Sequence, residues 1–325
     1  MSLRALGLIL VVSLGTLSAP LPSAGQQARR PYRIGVLHTG FFQIIPVVEG
    51  LKAGLKAAGL EETRDVSFDI RFTRGNLEAA RPAAVSLANA GVDLLVVDGE
   101  EATRAAKAAT QTIPIVFTQV GDPVAAGIVK EIARPGGNLT GVSSLATELA
   151  PKRLETLKAL YPTVRRVWAI YYADEASSLA ATRKVQEVGP RLKLDVVARP
   201  VRTTDELIAN LKELRPGDGM LCPPTLTLNI PGLILDLVLG AGWPAVFPTA
   251  FWVQSGAVVS YGSDSYSDGV QAARLVTKIL QGARPQELPV EGANKIELAI
   301  NLKTARSLKV SVPPDILIRA DRVIE

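Results

Sequence analysis

The chain offers one histidine, His38, and one cysteine, Cys222. A single cysteine cannot close an internal disulfide. One histidine and one cysteine cannot assemble a Cys/His zinc site, so a metal centre would have to be built from carboxylates alone, and none is expected. Phosphate-binding loops are also missing. The stretch Gly35 to Gly40 lacks the second and third glycines of a dinucleotide fingerprint, and Gly136-Gly137-Asn138 lacks the Lys-Ser/Thr of a P-loop. No Gly-x-Ser-x-Gly elbow presents a nucleophile. Glu100 and Glu101 are chain neighbours, which a helix points in different directions, so they make a poor acid/base pair. These residue types argue against an enzyme and against a cofactor. They leave polar side chains at the ends of apolar strands, where they could hydrogen-bond a small ligand.

The elements that would hold those side chains are legible. Short aliphatic runs fall at 32–37, 66–72, 93–98, 115–118, 139–143, 167–172, 195–201, 219–222, 245–249 and 258–261, and helical periodicity lies between them. Thr203 and Glu206 form a capping box ahead of Leu207, Ile208, Leu211 and Leu214, which share one face. Ala272, Val276, Ile279 and Leu280 do the same in a later helix that stops at Gly282. Continuous apolar strands alternating with helices mean parallel sheets covered on both faces, hence an α/β protein with doubly wound halves. About ten strands suit two such sheets better than one, as does a length of 325 residues. The segment Ala133 to Asn138, rich in glycine and proline, falls where the first sheet would end and reads as a crossover. In this architecture ligands bind beyond the carboxyl ends of the strands, between the two halves.

Residues 1–25 carry Arg4, an apolar run from Ala5 to Leu17 and a small-residue exit around Ser23 and Gly25, which reads as a cleaved signal peptide. No cysteine follows it to take a lipid. The chain is therefore expected to be exported to the periplasm without a lipid anchor. The net charge of +5 is spread over isolated basic pairs such as Arg29-Arg30 and Arg165-Arg166. Such a pattern suits a solvated surface and not nucleic acid.

The run Asp122-Pro123-Val124, Gly127-Ile128-Val129 and Ala133 to Ser143 resembles the signature of ABC-transporter substrate-binding proteins of the tryptophan/tyrosine-binding type. So do Tyr32 to Leu37, Gly50-Leu51, Gly59-Leu60, Ser260-Tyr261-Gly262, Ile300 to Ala305, Pro313-Pro314 and Ala320 to Glu325, so the likeness spans nearly the whole chain after residue 25. It implies a type I periplasmic-binding-protein fold of two doubly wound parallel-sheet lobes joined by three crossovers. Lobe one would comprise 31–142 and 262–288, and lobe two 143–261 and 289–325. It further implies a monomer that closes on a small ligand, an amino acid with aromatic side chains favoured, and passes it to a membrane permease and its ATPase. A periplasmic sensor feeding a membrane signalling receptor is the alternative. The chain departs from the family pattern at two strand ends: Asp98-Gly99-Glu100-Glu101-Ala102 stands where a Gly-Thr-x-Ala turn is common, and Cys222-Pro223-Pro224 replaces an acidic dipeptide.

A zwitterionic amino acid needs an anion for its ammonium group and hydroxyls or free N–H groups for its carboxylate. Lobe one offers His38, Thr39, Glu100, Glu101, Thr118, Gln119 and Asp122; lobe two offers Tyr172, Thr225 and Thr249. Several have a structural reading beside the functional one. Asp122 could cap a turn, Glu100 or Glu101 could complement a helix dipole, and His38 could be a satisfied core histidine. Phe41 and Phe42 could cover the ligand. Gly136, Gly137, Tyr261 and Gly262 are the expected hinge residues.

Overall fold

The computed structural model describes residues 30–40, 46–222 and 232–325. The expected signal segment, Phe41, Phe42 and Thr225 lie outside them.

The first half runs β1 (Tyr32–His38), α1 (Pro46–Ala57), β2 (Val66–Phe72), α2 (Ala80–Asn89), β3 (Leu94–Asp98), α3 (Glu100–Ala109), β4 (Ile115–Val120) and β5 (Leu139–Ser143). The second runs α4 (Ala146–Leu160), β6 (Arg166–Tyr172), α5 (Ala176–Val188), β7 (Asp195–Val201), α6 (Thr204–Lys212), β8 (Asp218–Leu221), α7 (Leu233–Ala241), β9 (Ala245–Val246) and α8 (Ala250–Gln254). The chain closes with β10 (Val259–Ser263), α9 (Ser265–Leu280), β11 (Glu291–Gly292), β12 (Ile296–Asn301), α10 (Leu302–Ser307), α11 (Pro314–Ile318) and β13 (Arg322–Ile324). A six-stranded parallel sheet has the order β11-β5-β4-β3-β1-β2, and a four-stranded parallel sheet the order β7-β6-β8-β9. In a third, small sheet β10 lies antiparallel to β12, which pairs in parallel with β13.

The α/β reading of the sequence therefore stands, and its reason is visible in β3, where all five residues are buried because helices cover both faces. Thr203 caps α6 as expected, accepting the Glu206 N–H at 3.1 Å. Three strands escaped the periodicity argument. Two of them, β11 and β13, have two and three residues, too few to show a period.

The Ala133–Asn138 segment is not a crossover. Strands β4 and β5 on either side of it pair in the same sheet, so Gly136 and Gly137, at φ of +73° and +64°, shape a loop within that sheet and cannot serve as a hinge between the sheets. The chain leaves the first sheet only after Ser143, returns between Ser263 and Ser265, and leaves again between Gly292 and Ile296. Because β11 pairs with β5, the first sheet reaches Gly292, beyond the expected limit at residue 288.

Helix α9 comes back to lie on α1 and the first sheet, burying Ala272, Leu275 and Val276 against Val47, Leu51 and Val96. Glycines let the two helices touch backbone to backbone. A Cβ on Gly50 would stand 1.9 Å from the Tyr266 carbonyl oxygen, and one on Gly269 2.0 Å from that of Val47. Gly50→Ala should therefore force the helices apart and destabilise the chain by about 1–3 kcal/mol, read as a lower midpoint in chemical denaturation. An unchanged midpoint would contradict this packing.

Candidate functional site

Parallel register puts four side chains from neighbouring strands in one row at the carboxyl end of the first sheet: Phe72, His38, Asp98 and Thr118. His38 stacks on Phe72 with ring centroids 5.3 Å apart. Its Nδ1 lies 2.9 Å from Asp98 Oδ2, and the Thr118 hydroxyl donates to Asp98 Oδ1 at 2.8 Å. His38, Thr39, Asp98 and Thr118 are all buried. Asp98, which is not among the candidates named from sequence, holds the His38 ring by one nitrogen. The signal was present: Asp98 ends an otherwise aliphatic strand.

Behind this row lies a second buried acid. Asp268, on α9, accepts from the Gln119 amide at 2.6 Å and the Ser263 hydroxyl at 2.8 Å through Oδ2, while its Oδ1 has no hydrogen-bond partner among the described residues. Burial pushes its carboxyl up to about 7, and the nearby charges of Asp98 and Asp264 push the same way. Gln119 holds a left-handed backbone at φ +55°, where β4 slips register against β5; such strain in a non-glycine residue is costly and collects at functional sites. Sequence could have found Asp268, since it precedes Ala272 and Val276 by one and two four-residue steps and so falls on the buried face of α9.

The two parallel sheets meet at their carboxyl ends. Glu100, 2 % exposed, accepts the N–H groups of Ala176 and Ser177 at 3.2 and 3.3 Å and pairs with Arg104 at 2.5 Å. It thus caps α5, whose own N-cap residue, Glu175, does not cap it with its side chain. Beside it the Asp122 N–H donates to Ser177 Oγ at 3.0 Å, and that hydroxyl lies 3.3 Å from the Asp122 carbonyl oxygen. Asp122 Oδ1 receives the N–H groups of Val124 and Ala125, the turn-capping alternative. Gly121 makes the approach possible: a Cβ there would stand 3.2 Å from that of Ser177.

Glu101 is differently placed. It is half-buried and only weakly paired, 3.9 Å from Arg104; burial raises its carboxyl above the usual range, with Glu100 and Asp174 adding to the rise and Arg104 opposing it. Tyr172, at the end of β6, is buried, and its hydroxyl is raised by burial first and then by Asp174, Glu101 and Glu175. Glu101 and Tyr172 thus feel one another across the two sheets.

Thr249 stands where β9 gives way to α8. It lines a pocket of about 250 Å³ with Pro46, Phe251 and Tyr266, and a narrower cavity with Gln119, Ser144 and Arg153. Tyr261 and Gly262 lie in β10 just before the chain returns to α9, with Gly262 so close to Pro248 that a Cβ would meet its carbonyl oxygen at 1.8 Å. No group of three or more His, Cys, Asp or Glu residues able to hold a metal occurs among the described residues. The structure thus joins His38 and Thr118 through Asp98 in one buried polar row, brings Gln119 and Thr249 to one narrow cavity, and sets Glu100 and Asp122 against the start of α5.

The family described as ABC transporter substrate binding protein matches residues 38–324. A tyrosine-binding protein of Clostridioides difficile is 26 % identical over 262 residues, covering 80 % of this chain and 75 % of that protein. A conserved domain protein of Vibrio cholerae is similar in structure with a TM-score of 0.82 at 29 % identity, over 90 % of this chain and 99 % of that one. An ABC domain from Streptococcus pneumoniae in complex with L-Trp gives a TM-score of 0.80 at 25 % identity, over 90 % of this chain and all, 100 %, of that one.

Proposed function

The chain belongs to the ABC transporter substrate-binding proteins, of type I periplasmic fold, and from that premise we propose that it captures an amino acid with an aromatic side chain between its two parallel sheets and delivers it to a membrane permease. It works outside the cytoplasmic membrane, freed of residues 1–25, with the first and second sheets as its two lobes. It is a carrier and performs no chemistry: ligand contacts to both lobes exist only in the shut form, so binding shifts an open ensemble towards it.

The observation that carries the reading is the meeting of the two sheets at their carboxyl ends, where Glu100 of one lobe caps α5 of the other. Relatives bound to tryptophan or named for tyrosine support the ligand class. Glu101 is the anion for the ligand's ammonium group, because Glu100 is already engaged by α5 and Arg104 while Glu101 has only a distant partner. Tyr172 faces it from the other lobe, and Tyr261 and Gly262 sit at the return crossover, where closure would bend the chain.

The test is thermal denaturation of residues 26–325, unfolded and refolded to strip bound ligand, against L-amino acids, carboxylates, sugars and nucleosides. A ligand at about 100 times its Kd adds roughly 2.7 kcal/mol, a rise on the order of 5–10 °C for a chain of this size. Tyrosine, tryptophan or phenylalanine should give it, and Glu101→Gln should abolish most of it. A rise with sugars or nucleosides alone would overturn the amino-acid reading.

A further inference from the structure

Helix α4 carries a charge where its pattern calls for an apolar residue. Ala150, Leu154, Leu157 and Leu160 form its buried face, and Arg153 sits among them with 2 % of its surface exposed. The guanidinium donates to the Ala146 carbonyl at 2.6 Å and, weakly, to that of Tyr261 at 3.4 Å. Among the described residues no carboxylate comes within ion-pairing distance of it. Burial pulls it down to about 10, and burial likewise pushes the nearby Cys222 thiol up, which keeps that group protonated and neutral. A guanidinium has five N–H donors in a planar fork that matches a carboxylate, and burying one without an anion is strongly unfavourable.

The place of this charge suggests its partner. Arg153 lines the narrow cavity with Gln119 from the end of β4, Ser144 from the first crossover, Thr249 from the end of β9 and Ser263 from the return crossover. Thr249 and Ser263 also wall the larger pocket, whose other side presents Pro46, Phe251 and Tyr266. Hydroxyls and an amide thus share a cavity with the one buried Lys or Arg among the described residues, beside a space with aromatic walls. The Thr249 hydroxyl is not spent on capping α8.

We propose that Arg153 is the seat of the ligand's carboxylate, and so the residue that makes this chain select an amino acid over the corresponding amine. The proposal rests on the amino-acid reading above. It assigns the two charged groups on the ligand's α-carbon to different residues, the carboxylate to Arg153 and the ammonium group to Glu101.

Calorimetric titration of the stripped chain with L-tryptophan, tryptamine, L-tyrosine and tyramine tests it, using wild type, Arg153→Gln and Arg153→Lys, with circular dichroism to establish folding. Wild type should prefer each amino acid to its amine. Arg153→Gln should lose about 10- to 100-fold for the amino acids and little for the amines, erasing the preference. Arg153→Lys, which keeps the charge but not the fork, should fall between the two and decides the matter if the glutamine variant does not fold. Equal loss for acid and amine would make Arg153 a brace between crossovers and overturn the proposal, as would unchanged preference. Wild type that takes up none of the four overturns the amino-acid reading itself, and this inference with it.

Discussion

Glu100→Ala should weaken every ligand of this protein, whatever its charge, by roughly 5- to 100-fold. Its carboxylate accepts two backbone N–H groups at the start of α5 from across the cleft, and a helix start deprived of its capping oxygen loses about 0.5–2 kcal/mol. A charge-assisted bond in a buried setting adds to that, giving roughly 1–3 kcal/mol, which 1.4 kcal/mol per decade converts to the stated range. On the closure reading the loss belongs to the shut form and not to the ligand, because the contact bridges the two lobes and the apparent Kd varies inversely with the population of that form. Small-angle scattering should accordingly show Glu100→Ala more expanded than wild type without ligand. Glu101→Gln should behave otherwise, leaving the unliganded shape alone and weakening ligands that bear an ammonium group. If the two variants weakened amines and uncharged ligands alike, or if Glu100→Ala left affinity intact, the division of roles between these neighbours would be wrong.

Asp268 should make the folded chain lose stability as the pH rises from about 4 to about 7. Its carboxyl is held up to about 7 in the folded chain against an ordinary value of 3.8, so across that window the folded form keeps a proton that the unfolded form has released. Binding more protons when folded means stability present at low pH and lost as pH climbs through the folded value, levelling off above it. Three pKa steps correspond to about 4 kcal/mol at most. The cause is burial first, then the charges of Asp98 and Asp264, with the Ser263 and Gln119 hydrogen bonds opposing. Denaturant midpoints at pH 4 and pH 7.5 read the effect, and Asp268→Asn should remove its share of the difference while matching the wild type near pH 4. A pH dependence indifferent to that substitution would place the titrating group elsewhere.

The lattice of strands and helices was open to sequence reasoning because buried parallel strands such as β3 are continuously apolar and the helices between them carry one apolar face. The crossovers were not. Ala133–Asn138 has the glycines and proline of a linker, yet the pairing of β4 with β5 is a long-range fact that no local signal encodes. Among the candidate residues, position at a strand end pointed to His38, Thr118 and Gln119, whereas the hydrogen-bond partners that hold them come from other elements. Asp98 claims His38 by strand register, and Asp268 claims Gln119 from a helix 149 residues away in sequence. Periodicity would have flagged Asp268 and Arg153, since both interrupt an apolar helix face; a charge on such a face means either a partner or a ligand. Glu100 and Glu101 looked equivalent in sequence, and only the approach of α5 separates them.

The central claim, capture of an aromatic amino acid between two closing lobes, is met most directly by calorimetric titration of stripped residues 26–325 with L-tyrosine and L-tryptophan at neutral pH. The account predicts saturable binding of one ligand per chain by at least one of the two. Flat titrations with both, on protein shown by circular dichroism to be folded, would contradict it.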